Sequence, residues 1–189
     1  SGKTTLARQW SSELDASAWI ALDSGDDELN RFVSLLVNAM QSIQPAFGMA
    51  TLSDLTLGRS LAPEDLAPTF TDEIAQSRQS FTIVLDDLHL INTPAIYEFL
   101  SWVFHSPPPE FHLCLVTRSD PPLPLTRYRA RYRLAEIRLA QLLLTIDETR
   151  QFWARTGGTP MPATALAQLH EQTEGWITGL HLTALAVRR

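Results

Sequence analysis

The sequence predicts an α/β protein, a parallel sheet covered by helices on both faces and followed by a small α-helical domain. Three observations point that way. Runs at residues 18–22 ("AWIAL"), 81–87 ("FTIVLDD") and 111–117 ("FHLCLVT") have strand length and are apolar on both faces, as strands buried on two sides are. Helical patterns lie between them, which is the alternation of a sheet built by crossovers. From Asp147 onward the character changes, and helical stretches at 147–156, 162–173 and 175–188 follow one another, separated by "GGTP" and Gly175.

In order along the chain, residues 4–14 have helix-forming composition and follow directly on Gly2-Lys3. After the first strand an acidic, turn-rich stretch, "DSGDDE", leads into a helix. There Phe32, Leu35, Leu36, Ala39, Met40 and Ile43 make one apolar stripe. Pro45 and Gly48 end it. Residues 46–63 show no steady period and read mostly as loop. Residues 64–80 read as a helix, with Pro68 marking an irregular start or a kink. The second strand ends in two acids. A helix over 94–104 follows, with proline in its first turn, and the triple proline 107–109 closes that unit before the third strand. After "RSDPPLPL" comes a basic stretch and then a short strand candidate at 135–139, "AEIRL". The boundary between the two domains falls at 140/141.

The chain has 189 residues, 44% of them hydrophobic, enough to bury a core. A net charge of −6 offers no whole-chain attraction to nucleic acid or to a membrane surface. Cys114 has no cysteine partner, which fits a reducing cytoplasm and excludes a disulfide framework. No apolar run approaches membrane-spanning length. The chain opens on "SGKTT" and stops at "LAVRR" within a helical pattern, so the reading expects both ends to be cuts through a larger protein.

Three short segments carry chemistry. "SGKTT" reads as the second half of a phosphate-binding loop, G-x-x-x-x-G-K-[ST]. Phosphates bind backbone N–H groups at a helix N-terminus, and glycine lets the backbone come close. Lys3 would reach the β- and γ-phosphates and the Thr4 hydroxyl would hold Mg²⁺, while Gly2 and Thr5 would offer N–H groups. "TIVLDD" puts two carboxylates at the carboxyl end of a buried strand, where open α/β sheets bind ligands. Asp86 is placed as an oxygen ligand for magnesium and Asp87 as the group that orients or activates an attacking water. Their bland alternative is an acidic helix cap or a pair of solvated turn acids. In "LCLVTRSDP" a buried strand ends in Thr117-Arg118, and an arginine there can report a γ-phosphate. The run "TRYRARYRL" mixes basic and aromatic residues, but with an acidic chain around it reads as a solvated basic face or an interdomain contact. His89 reads as a structural hydrogen-bonding residue. His105, His112 and His170 have no metal-ligand spacing.

With "VLDDLHLI", "TRSDPPLPL", "RYRAR" and "TEGWITGLHLTAL" in this order behind the lysine loop, the chain resembles the ATPase module of STAND-class P-loop proteins (NB-ARC-like). The branch it is most similar to is the MalT-like, large ATP-binding LuxR-family transcription regulators. The resemblance spans nearly the whole chain. It implies a P-loop NTPase sheet of order 5-1-4-3-2 whose first, central strand lies upstream of residue 1, in a nucleotide-binding domain over 1–140. A helical domain would occupy 141–189. It further implies ATP and Mg²⁺ as cofactors, slow regulatory ATP hydrolysis in the cytoplasm, and self-association in the ATP state. DNA would be bound only through a helix-turn-helix outside these residues. By the same resemblance Gly2, Lys3, Thr4 and Thr5 match the phosphate loop, Asp86 and Asp87 the paired acids, and Arg118 the sensor arginine. Gly179 and His181 fall in the segment that touches the base side of the nucleotide; related proteins often carry proline where this chain has His181. The chain also departs from its branch at Tyr132, where that branch has glycine. The strand at 81–86 should then pair with those at 111–117 and 18–22, leaving 135–139 across a gap. Lys3 and the acid pair should converge on one metal-bound triphosphate. The competing readings are a P-loop small-molecule kinase or other phosphotransferase, and a scaffold that has lost nucleotide binding.

Overall fold

The computed structural model describes residues 2–56, 62–77, 79–156 and 160–187. Ser1, Gly58, the "GGT" of the expected helix separator and the last residue of the expected 175–188 helix lie outside them. The chain divides into two compact units, Leu6–Arg131 and a second made of the first five residues with Tyr132–Arg189. The division falls inside the first helix.

In the Leu6–Arg131 unit three strands, β1 (Ser17–Ala21), β2 (Phe81–Asp86) and β3 (Phe111–Leu115), form a parallel sheet in the order β1-β2-β3. Ser17 pairs with Thr82 and Ala21 with Asp86; Phe81 pairs with Phe111 and Leu85 with Leu115. The pairing expected of the 81–86 strand is therefore the one observed. β2 is buried at every residue, which explains its unbroken apolar run.

On one face lie α2 (Leu29–Gln41), α3 (Met49–Thr56), α4 (Pro63–Gln76) and α5 (Pro94–Val103), sharing one core with the strands. α2 buries Phe32, Leu36 and Met40 as the periodicity predicts, but also Val33 and Val37, so its apolar arc is wider than the expected stripe. Phe70 is a hub of that core. Its ring meets Phe47, Phe99 and Phe111 at centroid distances of 5.8, 5.5 and 6.1 Å, all edge-on. On the other face α1 (Gly2–Ser11) sets Ala7 against Val84 and Val116, and the Arg8 guanidinium lies 5.0 Å over the Trp19 ring.

Two elements of this unit differ from the sequence reading. Residues 49–56 are helical rather than loop, because the Glu73 carboxylate on α4 accepts from the Ala50 and Thr51 backbone N–H groups and from Thr51 Oγ1. That cap comes from more than 20 residues away, so no local period announces it. Gly48 leads into this helix with φ +81°, and a Cβ there would stand 2.2 Å from Val37 Cγ1. A short helix, α6 (Leu125–Ala130), also forms within the basic run.

The second unit holds α7 (Ile146–Arg155), α8 (Ala163–Thr173) and α9 (Ile177–Val187) around Trp153, Leu166, Leu169, Leu180 and Ala184. Thr145 and Glu148 close a reciprocal capping box at the start of α7. The expected strand at 135–139 does not form. Residues 133–138 have no regular structure, a short turn begins at Leu139, and Ile137 and Leu139 stay exposed. An isolated strand has no ladder to satisfy its backbone, and an apolar pair without cover gains nothing from extension. Tyr132 adopts a left-handed φ of 55°. No helix among the described residues is long and apolar enough to cross a membrane.

Candidate functional site

The acid pair is built by the way β2 stops. Asp86 closes the strand; its carbonyl accepts from Leu22 N–H at 3.0 Å, and its residue is 5% exposed. The next residue, Asp87, turns into the left-handed region (φ 58°, ψ 34°), which Asp and Asn tolerate better than most side chains. Asp86 Oδ1 accepts the Asp87 N–H at 3.1 Å. Leu88 is fully buried and donates its N–H to Val116 O at 3.1 Å, pinning the turn to the end of β3. The result is one carboxylate held in at the strand tip and a second, half exposed, thrown outward. Asp87 occupies a cap position yet makes no side-chain capping bond, so the bland reading of this acid as a helix cap is not realised.

Val116 N–H donates to Leu85 O at 2.9 Å, carrying the β2–β3 ladder one residue past β3. Thr117 and Arg118 come next, at the same carboxyl edge as the acid pair, with Arg118 exposed. Asp86, Asp87 and Arg118 are thus brought to neighbouring strand ends. Cys114 stands opposite Val84; burial, and then the Asp86 carboxylate nearby, push its thiol pKa up.

Beside the turn lies a cleft of about 200 Å³ lined by His89, Asn92, Thr117, Ser119 and Asp120 among others. It shares Asn92, Tyr97 and Pro122 with a groove of about 490 Å³ that runs along Trp102, Arg127 and Tyr128. Nδ1 of His89 is buried and has no hydrogen-bond partner, so the structural hydrogen bond expected of His89 is not made at that nitrogen.

The acidic stretch before α2 has a role the sequence did not disclose. Asp23 caps a short turn by accepting from Gly25 N–H, and Glu28 caps α2 through Asn30 and Arg31 N–H. Asp26 accepts from Asp23 N–H and from Arg31 Nε. Burial alone would raise its pKa, but these contacts outweigh it and hold the carboxyl below the usual range. Asp27 reaches across to the loop after the acid pair. Its Oδ1 accepts from Asn92 N–H (2.9 Å) and Thr93 N–H (2.7 Å), and its carbonyl accepts from Thr93 Oγ1 (2.8 Å). Thr93, at the N-cap of α5, makes no capping bond with its own side chain; Asp27 instead holds the backbone N–H groups of Thr93 and of the residue before it.

Gly2, Lys3, Thr4 and Thr5 form the first turn of α1, a helix N-terminus of the kind that binds anions. Within their unit, a Cβ on Gly2 would lie 3.6 Å from Ile177 Cγ2, at the start of α9. Gly179 and His181 are on that helix, His181 four residues after Ile177 and therefore on the same face. The structure thus brings the lysine turn to the helix carrying Gly179 and His181. Lys3 and Thr4 fall in the second unit, and Asp86, Asp87 and Arg118 in the Leu6–Arg131 unit. Among the described residues there is no group of three or more His, Cys, Asp or Glu that could hold a metal ion by itself. No family model matches the chain.

Proposed function

We propose that the chain is the ATP-binding and slowly ATP-hydrolysing switch module of a signal-responsive transcription regulator. The observation that carries this reading is the acid pair, one carboxylate buried at the tip of the central strand and its neighbour turned outward. Two further features support it. The order β1-β2-β3 is compatible with the second, third and fourth strands of a 5-1-4-3-2 sheet. A Gly-Lys-Thr-Thr turn opens the first helix.

Magnesium at phosphates needs one or two carboxylates, with hydroxyl, phosphate oxygen and water completing its shell; in this reading Asp86 would supply the carboxylate and Thr4 the hydroxyl. When bound, the ion would neutralise charge that develops on the phosphate oxygens. In this reading Lys3 and the backbone N–H groups of the first α1 turn bind the phosphates. Asp87 holds and accepts a proton from the attacking water. Arg118 reads whether a γ-phosphate is there, and Gly179 and His181 meet the base side. The ATP state would favour self-association, with DNA bound by another part of the regulator. A phosphotransferase is the second reading, favoured by the polar cleft beside Asp87, which could seat an acceptor.

Calorimetry on the full-length protein tests this. Mg-dependent ATP binding should be lost in Lys3→Ala, whereas Asp87→Asn should keep binding and lose turnover. Equal affinity in the lysine variant refutes the phosphate turn. Turnover that persists in the aspartate variant refutes Asp87 as the catalytic acid. Phosphate release without added acceptor separates hydrolysis from transfer.

A further inference from the structure

We propose that His89 is the positioning residue for Asp87, holding its carboxylate through an Nδ1–H···Oδ1 hydrogen bond. This rests on the reading of Asp87 as the group that handles the attacking water. Nδ1 of His89 is buried without a hydrogen-bond partner, and it faces Asp87 Oδ1 across 3.8 Å. That gap is too long for a hydrogen bond. It is also too short for a bridging water, which needs about 5 Å between the groups it joins. A sub-ångström approach closes it.

The geometry says which partner moves. The backbone carrying His89 is fixed on both sides: Leu88 N–H donates to Val116 O, and Tyr97 Oη donates to Ile91 O at 2.8 Å. The His89 side chain is 18% exposed, that of Asp87 50%. A half-exposed carboxylate turns about its side-chain torsions, so Asp87 comes to the histidine. The proton's place follows as well. A neutral ring protonated on Nε2 would aim the Nδ1 lone pair at a carboxylate oxygen, which is repulsive, so Nδ1 carries the hydrogen. With Oδ1 anchored, Oδ2 is left in one orientation to accept from water. A catalytic group held in one geometry reacts faster than one that samples several.

Two variants of the full-length protein separate this from a packing role. His89→Phe keeps a ring but has no N–H; His89→Asn returns a donor near the position of Nδ1. His89→Phe should lower kcat for Mg-ATP about ten- to a hundredfold at unchanged KM, and His89→Asn should recover most of it. A His89→Phe enzyme as fast as wild type, or a loss that His89→Asn does not recover, overturns the proposal. Long-range ¹H–¹⁵N NMR gives a readout that needs no ATP. A protonated, pyrrole-type Nδ1 in wild type that changes in Asp87→Ala supports the pair, and a pyridine-type Nδ1 in wild type overturns it. A wild-type protein with protonated Nδ1 but no turnover refutes the ATPase reading and leaves the pairing standing.

Discussion

Asp27 is where a single acid bears most directly on the loop beneath the acid pair, and its contribution can be worked out bond by bond. Its Oδ1 receives two backbone N–H groups, at 2.9 and 2.7 Å. A hydrogen bond to a charged acceptor contributes about 1.5–3 kcal/mol net. Here one oxygen serves both donors, and Asn92 is exposed, so its N–H finds water when the carboxylate is gone. Asp27→Ala should therefore cost about 2–3 kcal/mol, most of it from Thr93. Asp27→Asn keeps an acceptor oxygen without the charge and should cost about 1 kcal/mol. Burial would raise the Asp27 pKa, but the bonds from Thr93 and Asn92 outweigh it and hold the folded value below 3.8. A carboxyl whose pKa is depressed by folding stabilises the folded state where it is charged. Its contribution is complete above the unfolded value, near pH 4, and is lost as pH falls through the folded one. Urea unfolding followed by circular dichroism, from about pH 7 to about pH 3, reads both quantities. The gap between wild type and Asp27→Asn should be full at neutral pH and shrink in acid. An Asp27→Asn protein as stable as wild type at neutral pH, or a gap that widens on acidification, would refute the reasoning.

Gly48→Ala should destabilise by about 3 kcal/mol, from the left-handed backbone together with a methyl driven into Val37. Repeating it in a Val37→Ala background should remove the steric share, and a double-mutant cycle in urea shows whether it does. Tyr132→Gly should stabilise by about 0.5–1 kcal/mol. It relieves a left-handed tyrosine at the expense of some unfolded-state entropy, and a residue 98% exposed has no packing to lose. A thermal midpoint that falls in Tyr132→Gly would contradict that.

What was legible in the sequence was whatever is decided locally. β2 is buried on both faces, so its apolar run and terminal acids could be read without knowing its neighbours. α7 carries its own capping box in Thr145 and Glu148, and Gly175, at φ +71°, breaks the chain between α8 and α9. What was not legible depends on distant partners. α3 is capped by Glu73 from α4, and "DSGDDE" read only as an acidic, turn-rich stretch although Asp27 holds a loop 65 residues onward. Residues 135–139 had a strand's composition but no strand to lie against. The acid pair could be located from sequence, whereas the left-handed turn that separates its two carboxylates could not. Nor could the buried Nδ1 of His89, which has no hydrogen-bond partner.

The β1–β2 register and the Asp27 bonds span the same stretch of chain, since Ser17 pairs with Thr82 and Asp27 reaches Asn92 and Thr93. Each requires the same large loop to close, so the entropy lost in forming one is not lost again in forming the other. No hairpin can start this sheet, because both of its pairings are parallel. Folding of the unit must therefore wait on a slow, non-local search, and once that search ends the ladder and the carboxylate clasp lock together.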